Sequence, residues 1–124
     1  DSNHILDGGR KGIAVATTTI SAIMEQENLN HVDLLKIDVE GLELAVLSGI
    51  GEHAANISCV YVEVLPRTLA RYGRTAAEVK DWLRRAGFEL FRVIGDSDNV
   101  AAIKPSSKLR PAGLRMERLI EDFE

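Results

Sequence analysis

The chain of 124 residues predicts an α/β fold, a largely parallel sheet that finishes in an antiparallel hairpin. Three observations carry that expectation. Apolar runs alternate with helical patterns from Ile13 to Ala86; one run, Val32 to Gly41, ends in acids and a glycine just before a helix; and the last runs are separated only by a turn cluster. Strand-helix-strand units place their strands parallel with right-handed crossovers, and ligands bind outside the carboxyl ends of such strands.

Each element has a local reason. Ile13–Thr17 is β-branched and Ala-rich, and Thr19 is placed to cap a helix with Ile20, Ile23 and Met24 on one stripe, ending by Asn28 to Asn30. Leu34, Leu35, Ile37 and Val39 read as a strand buried on both faces, followed by a helix from Leu42 to Ser48 that Gly49 and Gly51 stop. Ile57–Leu65 is the next strand, closed by Pro66, and Arg67–Arg74 reads as an irregular surface connection. Thr75 and Glu78 form a capping box; Val79, Trp82, Leu83 and Ala86 continue the helix, and Gly87 is the expected terminator. Glu89–Ile94 and Val100–Ile103 are strands around the turn Gly95–Asn99, and Leu114, Leu119 and Ile120 in the tail predict a short terminal helix.

Composition narrows the class of partner. With 45% hydrophobic and 27% charged residues, 1–124 reads as a single domain, without repeats or low-complexity segments. A net charge of -4 gives no basic excess of the kind that neutralises phosphates, so nucleic acid is not an expected partner. No apolar run approaches the roughly 20 residues of a membrane span. Asp1–His4 carries no signal-peptide pattern, and the lone Cys59 lies in an apolar run where a thiol serves as a small buried hydrophobe. These features predict a reducing, cytoplasmic setting without membrane association.

The chemistry-bearing residues concentrate at two strand ends. In a strand, Leu34, Lys36, Asp38 and Glu40 share one side, and Lys36 must snorkel to the rim or pair with an acid such as Asp38. Asp38 and Glu40 either cap the following helix, worth about 0.3–1 kcal/mol, or form a site; position favours the site for Asp38 and leaves both readings for Glu40. Glu63 ends the next strand. If the strands are neighbours, Asp38, Glu40 and Glu63 meet at one rim, where carboxylates bind a divalent cation or take a proton from a hydroxyl. His4, His31 and His53 fall singly in predicted loops and read as solvated, while Trp82 and Tyr72 read as core and loop residues.

The segment Leu34–Gly41, followed by Glu43, Val46, Leu47 and Gly49, resembles the signature of FkbM-type methyltransferases. Thr18-Thr19-Ile20, Val62-Glu63-Val64 with Pro66, Tyr72-Gly73, Leu83–Phe88 and Asn99–Pro105 match in order, so the likeness covers 13–105 and leaves 106–124 as a tail. The resemblance implies a Rossmann-like sheet and transfer of a methyl group from S-adenosylmethionine to a hydroxyl acceptor. It puts Asp38, Glu40 and Lys36 at the acceptor side of the site, with Glu63 of the shared rim as a further catalytic candidate, and by analogy with metal-dependent O-methyltransferases it allows a divalent metal at Asp38.

Such enzymes begin with a strand, a Gly-rich loop and a helix that cradle the donor, and the chain has no such unit before Ile13. Ile5–Gly12 is glycine-rich but runs into a β-branched segment, so it reads as a hairpin or loop. The chain is therefore similar to the C-terminal part of the family's fold, with its cofactor-binding strands missing. The flank of the Asp38 strand is then an exposed edge where a second copy, a partner's sheet or the N-terminal half can pair. The alternative function is a non-catalytic interaction or oligomerisation module using that edge and the tail from Lys104 to Glu124. A phosphoacceptor receiver domain fits less well, because Asp7 does not follow a first strand as that family requires.

Overall fold

Two threonines decide where the longer helices begin. Thr19 Oγ1 accepts the Ala22 N–H at 3.0 Å and starts α1 (Ile20–Gln26). Thr75 Oγ1 accepts the Glu78 N–H at 3.2 Å while Glu78 accepts the Thr75 N–H at 2.9 Å, completing the expected capping box of α4 (Ala76–Arg85). Beyond α4, Gly87 takes φ +97°, so that Gly87 N–H reaches Arg84 O at 3.0 Å and Phe88 N–H reaches Leu83 O at 3.1 Å. This is the paired bond of a Schellman terminus, with Phe88 and Leu83 both in the core.

The computed structural model describes residues 3–5, 15–108, 113 and 115–120. Its other elements are β1 (Asn3–Ile5), β2 (Val15–Thr17), β3 (Val32–Ile37), α2 (Glu43–Ser48), a 3-10 turn (Gly51–Asn56), β4 (Ile57–Glu63), α3 (Pro66–Ala70), β5 (Glu89–Val93), β6 (Asp96–Ile103) and β7 (Met116–Arg118). β1 and β2 form an antiparallel hairpin apart from the main sheet, whose order is β3-β4-β6-β5-β7. Among the described residues no helix is long and apolar enough to cross a membrane.

The architecture is mixed α/β, but the sheet is not largely parallel. Only β3 and β4 are parallel; β4–β6, β5–β6 and β5–β7 are antiparallel. The difference arises because the first predicted strand pairs with Asn3–Ile5 instead of joining the main sheet, leaving β3-α2-β4 as its crossover unit. Ile13 and Ala14 lie outside the described residues.

Helices α1 to α4 bury their apolar stripes against one face of the sheet. Met24, Leu47, Leu69, Val79 and Leu83 pack with Ile37, Val60, Val62, Leu90, Val100 and Ala102 in one cluster. Leu47, Leu69 and Leu83 are fully buried, each worth about 1.5–3 kcal/mol of transfer free energy. Cys59, as expected, is buried, and with Ala101 and Ile103 it lies on the alternate positions of β4 and β6.

Several local expectations are corrected. The strand thought to be buried on both faces is an edge strand in the described sheet: Ile37 is its one buried residue, Leu34 is 52% exposed, and Val39 lies beyond its end. β4 takes the central place, between β3 and β6. Pro66 opens α3 where an irregular connection was expected, its missing N–H being harmless at the first helical position. The β5–β6 hairpin is present, yet its turn is Ile94-Gly95 and β6 already begins at Asp96, with a register shift between Arg92 and Val93. Instead of a terminal helix, β7 pairs with β5, and Leu119 N–H continues the ladder to Leu90 O at 2.8 Å. Leu114 lies outside the described residues.

Candidate functional site at the ends of β3 and β4

β3 ends at Ile37, and Asp38–Leu42 lead into α2. Glu40 holds φ +49° and Gly41 φ +112°, a left-handed turn that reverses the chain in two residues. Only glycine fits at 41: a Cβ there would lie 2.2 Å from Thr68 O and 2.8 Å from Tyr72 Cδ2, so the turn is pressed against α3 and the segment after it.

The turn is also held by Glu43. This side chain is fully buried, and its carboxyl oxygens accept the Gly41 N–H at 2.9 Å and the Val39 N–H at 3.1 Å. Helix α2 is capped at Leu42 with no side-chain cap bond, so neither Asp38 nor Glu40 plays the capping role. Both are exposed and make no side-chain hydrogen bond among the described residues.

The parallel pairing of β3 with β4 sets Ile37 beside Val62 and brings Glu63 to the same rim. Glu63 is half-buried and opposite Asn99 of β6. Burial, foremost, and then the negative charges of Asp38, Glu43, Asp98 and Glu40 hold its carboxyl above the usual range. Asp38, Glu40 and Glu63 are thus brought together as expected, and Glu43 and Asp98 join them. The Val64 N–H donates to Asp98 O at 2.6 Å, tying the loop after β4 to β6. Beside this rim a cleft of about 160 Å3 lies between α4 and the sheet, its wall including Val64, Pro66, Lys80, Asp98 and Asn99.

Lys36 does not pair with Asp38. Asp38 lies beyond the end of β3, and the neighbour of Lys36 across the ladder is Tyr61. Tyr61 donates its hydroxyl to Asp96 Oδ2 at 2.7 Å, and Asn99 Nδ2 donates to Asp96 Oδ1 at 2.9 Å. These two bonds hold the Asp96 carboxyl below its usual range, with a smaller contribution from the Lys36 charge. Burial and the Asp96 bond push Tyr61 up to about 12. Lys36, Tyr61, Asp96 and Asn99 therefore form a polar patch next to Glu63, separate from the Asp38 turn.

Among the described residues no group of three or more His, Cys, Asp or Glu is arranged to hold a metal ion. The surrounding acids raise the Glu63 carboxyl through charge, but among the described residues no ligand set forms around Asp38. His31 Nε2 faces both Ser58 Oγ at 3.0 Å and Asp33 Oδ1 at 3.1 Å; a relay would need two ring nitrogens, so this is no nucleophilic triad. His53 is not a solvated loop residue, since it pairs with Glu25 at 3.0 Å and thereby lowers the Glu25 carboxyl. The side chain of His4 lies outside the described residues.

A donor cradle is not found among the described residues. The glycine-rich stretch lies between β1 and β2, which pair antiparallel. Gly8, Gly9 and Gly12 themselves lie outside the described residues.

Sequence reasoning did not single out Glu43 or Asp98 as members of the rim. Glu43 was visible as an acid in the first turn of a helix, but such residues are ordinarily solvated, and only packing shows it buried.

Residues 1–90 match the family model described as the Methyltransferase FkbM domain, a span that contains Asp38, Glu40, Glu43 and Glu63 and stops short of Asp96–Asn99. No curated protein and no solved structure gives a match.

Proposed function

The chain belongs to the FkbM methyltransferase family, and from that premise we propose that the rim at Asp38, Glu40 and Glu63 is the acceptor side of a site that methylates a hydroxyl group. The observation that carries this reading is Glu63: a half-buried carboxyl, raised by burial and by surrounding acids, at the ends of two adjacent parallel strands. A base is most effective when its pKa approaches the working pH. Glu63 takes the acceptor's hydroxyl proton, the O–H electron pair stays on the oxygen, and that oxygen becomes the nucleophile. Asp38 and Glu40 accept hydrogen bonds from neighbouring hydroxyls of the acceptor and hold it in line, while the adjoining cleft of about 160 Å3 receives part of its body.

S-adenosylmethionine is the donor that the family implies, supplying the methyl group when bound. None of the described residues is assigned to it. We propose that its binding strands belong to a further part of the fold, which pairs along the outer edge of β3 and covers the exposed Leu34 and Lys36 face; this chain is then the C-terminal part. The edge position of β3 and the hairpin at β1–β2 support that arrangement. A second copy at the same edge is the competing partner, and a cytoplasmic setting is part of the proposal, in keeping with the buried thiol of Cys59.

The test uses the full-length protein with methyl-labelled S-adenosylmethionine and an extract of hydroxylated metabolites. The expected product is a base-stable methyl ether, with transfer reduced about 100-fold or more by Glu63→Gln. Base-labile label, the mark of a methyl ester, or full activity in that variant would refute the hydroxyl reading.

A further inference from the structure

We infer that Glu43 is the positioning residue of the acceptor rim: its buried carboxyl group holds the Asp38–Gly41 turn in the conformation that brings Asp38 and Glu40 beside Glu63. The role given to the rim rests on the methyltransferase reading above; the clamp itself does not.

The argument starts from burial. Glu43 opens a short helix at the sheet's rim, where a glutamate would ordinarily extend into water, yet it is fully buried. Burying a carboxyl group is unfavourable unless donors replace the lost water, and both donors it finds belong to the turn. They are the N–H groups of Val39 and Gly41, the residues on either side of Glu40. Glu40 has a side chain and a left-handed backbone at φ +49°, which persists only where surroundings over-determine it. Glu43 supplies one constraint, and the contact of Gly41 with Thr68 O and Tyr72 supplies a second. The turn is held by both, so the directions in which Asp38 and Glu40 leave the rim follow from Glu43. Substrate need not touch Glu43 for its loss to disturb the site.

The test compares Glu43→Ala, Glu43→Gln and a control, Leu47→Ala, which weakens the same helix from within the core. Amide hydrogen exchange is read at Val39 and Gly41 against Val62 of the central strand. In Glu43→Ala both turn amides exchange at least tenfold faster relative to Val62. In Glu43→Gln, whose side-chain amide has a single carbonyl oxygen, one of the two turn amides is released and the other stays protected. In Leu47→Ala all three change together. Carboxyl NMR titration adds a signature that mere destabilisation does not move: Glu63 titrates lower in both Glu43 variants and is unaltered in Leu47→Ala. Turn amides that follow Val62 in Glu43→Gln and Glu43→Ala, or a Glu63 titration that does not move, overturn the inference. Absence of methyl transfer by the wild-type protein would defeat the proposed function while leaving the exchange and titration results standing, so the two failures are separable.

Discussion

Replacing Gly41 with alanine tests whether the turn at the rim is as tightly packed as its geometry implies. Two unfavourable effects act at this position. A residue with a Cβ at φ +112° is strained by about 1–3 kcal/mol. The new methyl would also lie 2.2 Å from Thr68 O, whereas ordinary contact lies at 3.4–4 Å, so backbone must move by about 1 Å or more. Thr68 and Leu69 are buried, which makes such a shift of α3 comparable to overpacking a core, about 1–3 kcal/mol. Together these give a loss of about 2–6 kcal/mol, less the small gain from a stiffer unfolded chain. Gly73→Ala is the matched control: it also has positive φ, +68°, but nothing lies within 4 Å of its added Cβ. Unfolded-state effects cancel between the two variants, while φ +112° lies outside the left-handed region that φ +68° occupies, so extra strain adds to the steric part and the difference is at least about 1–3 kcal/mol. In urea, with a slope near 1–3 kcal/mol/M, the midpoints should differ by roughly 1 M at unchanged slope. Equal midpoints for Gly41→Ala and Gly73→Ala would refute the close approach of the turn to α3.

Two further outcomes follow from the charges. Glu63 has its folded pKa raised, so the folded state binds its proton more readily than the unfolded chain; the associated stability is present below about pH 4.5 and is lost as pH rises through the folded value. Glu63→Gln should therefore gain stability over wild type at pH 7, and the gain should vanish in acid; thermal melts at both pH values check it, and a pH-independent difference would contradict the crowding of acids. Asp96→Asn should bring Tyr61 down from about 12 toward 10 without reaching it, because burial, the larger cause, remains. UV titration in a Tyr72→Phe background reads this phenol alone, and an unchanged midpoint would dismiss the Tyr61–Asp96 bond.

Much of the local structure is legible in the residues themselves. Thr19, Thr75 with Glu78, and Gly87 act within a few positions of where they stand, so caps and terminator follow from short-range hydrogen bonding. The same holds for the acid-bearing end of β3 and for the likeness of Leu34–Gly41 to the family, which the match over residues 1–90 bears out. Periodicity cannot say which strands become neighbours. Whether Val32–Ile37 is central or at an edge depends on pairing partners distant in sequence, and here the early strand turned back on Asn3–Ile5. A tail with scattered apolar residues fits helix or strand equally; the open flank of β5 selected strand for Met116–Arg118.

The rim divides in the same way. The sequence by itself determined that Asp38, Glu40 and Glu63 stand at strand ends, because a strand's end is a local property. Only the tertiary structure decided that Lys36 joins Tyr61 and Asp96 and that Asp98 adds its charge, since those meetings are made by the β3–β4 and β4–β6 ladders. It also decided that Glu43 turns inward to grip the chain. Burial is a property of what packs around a residue, and for Glu43 that surrounding is the Asp38–Gly41 turn, which α3 also contacts.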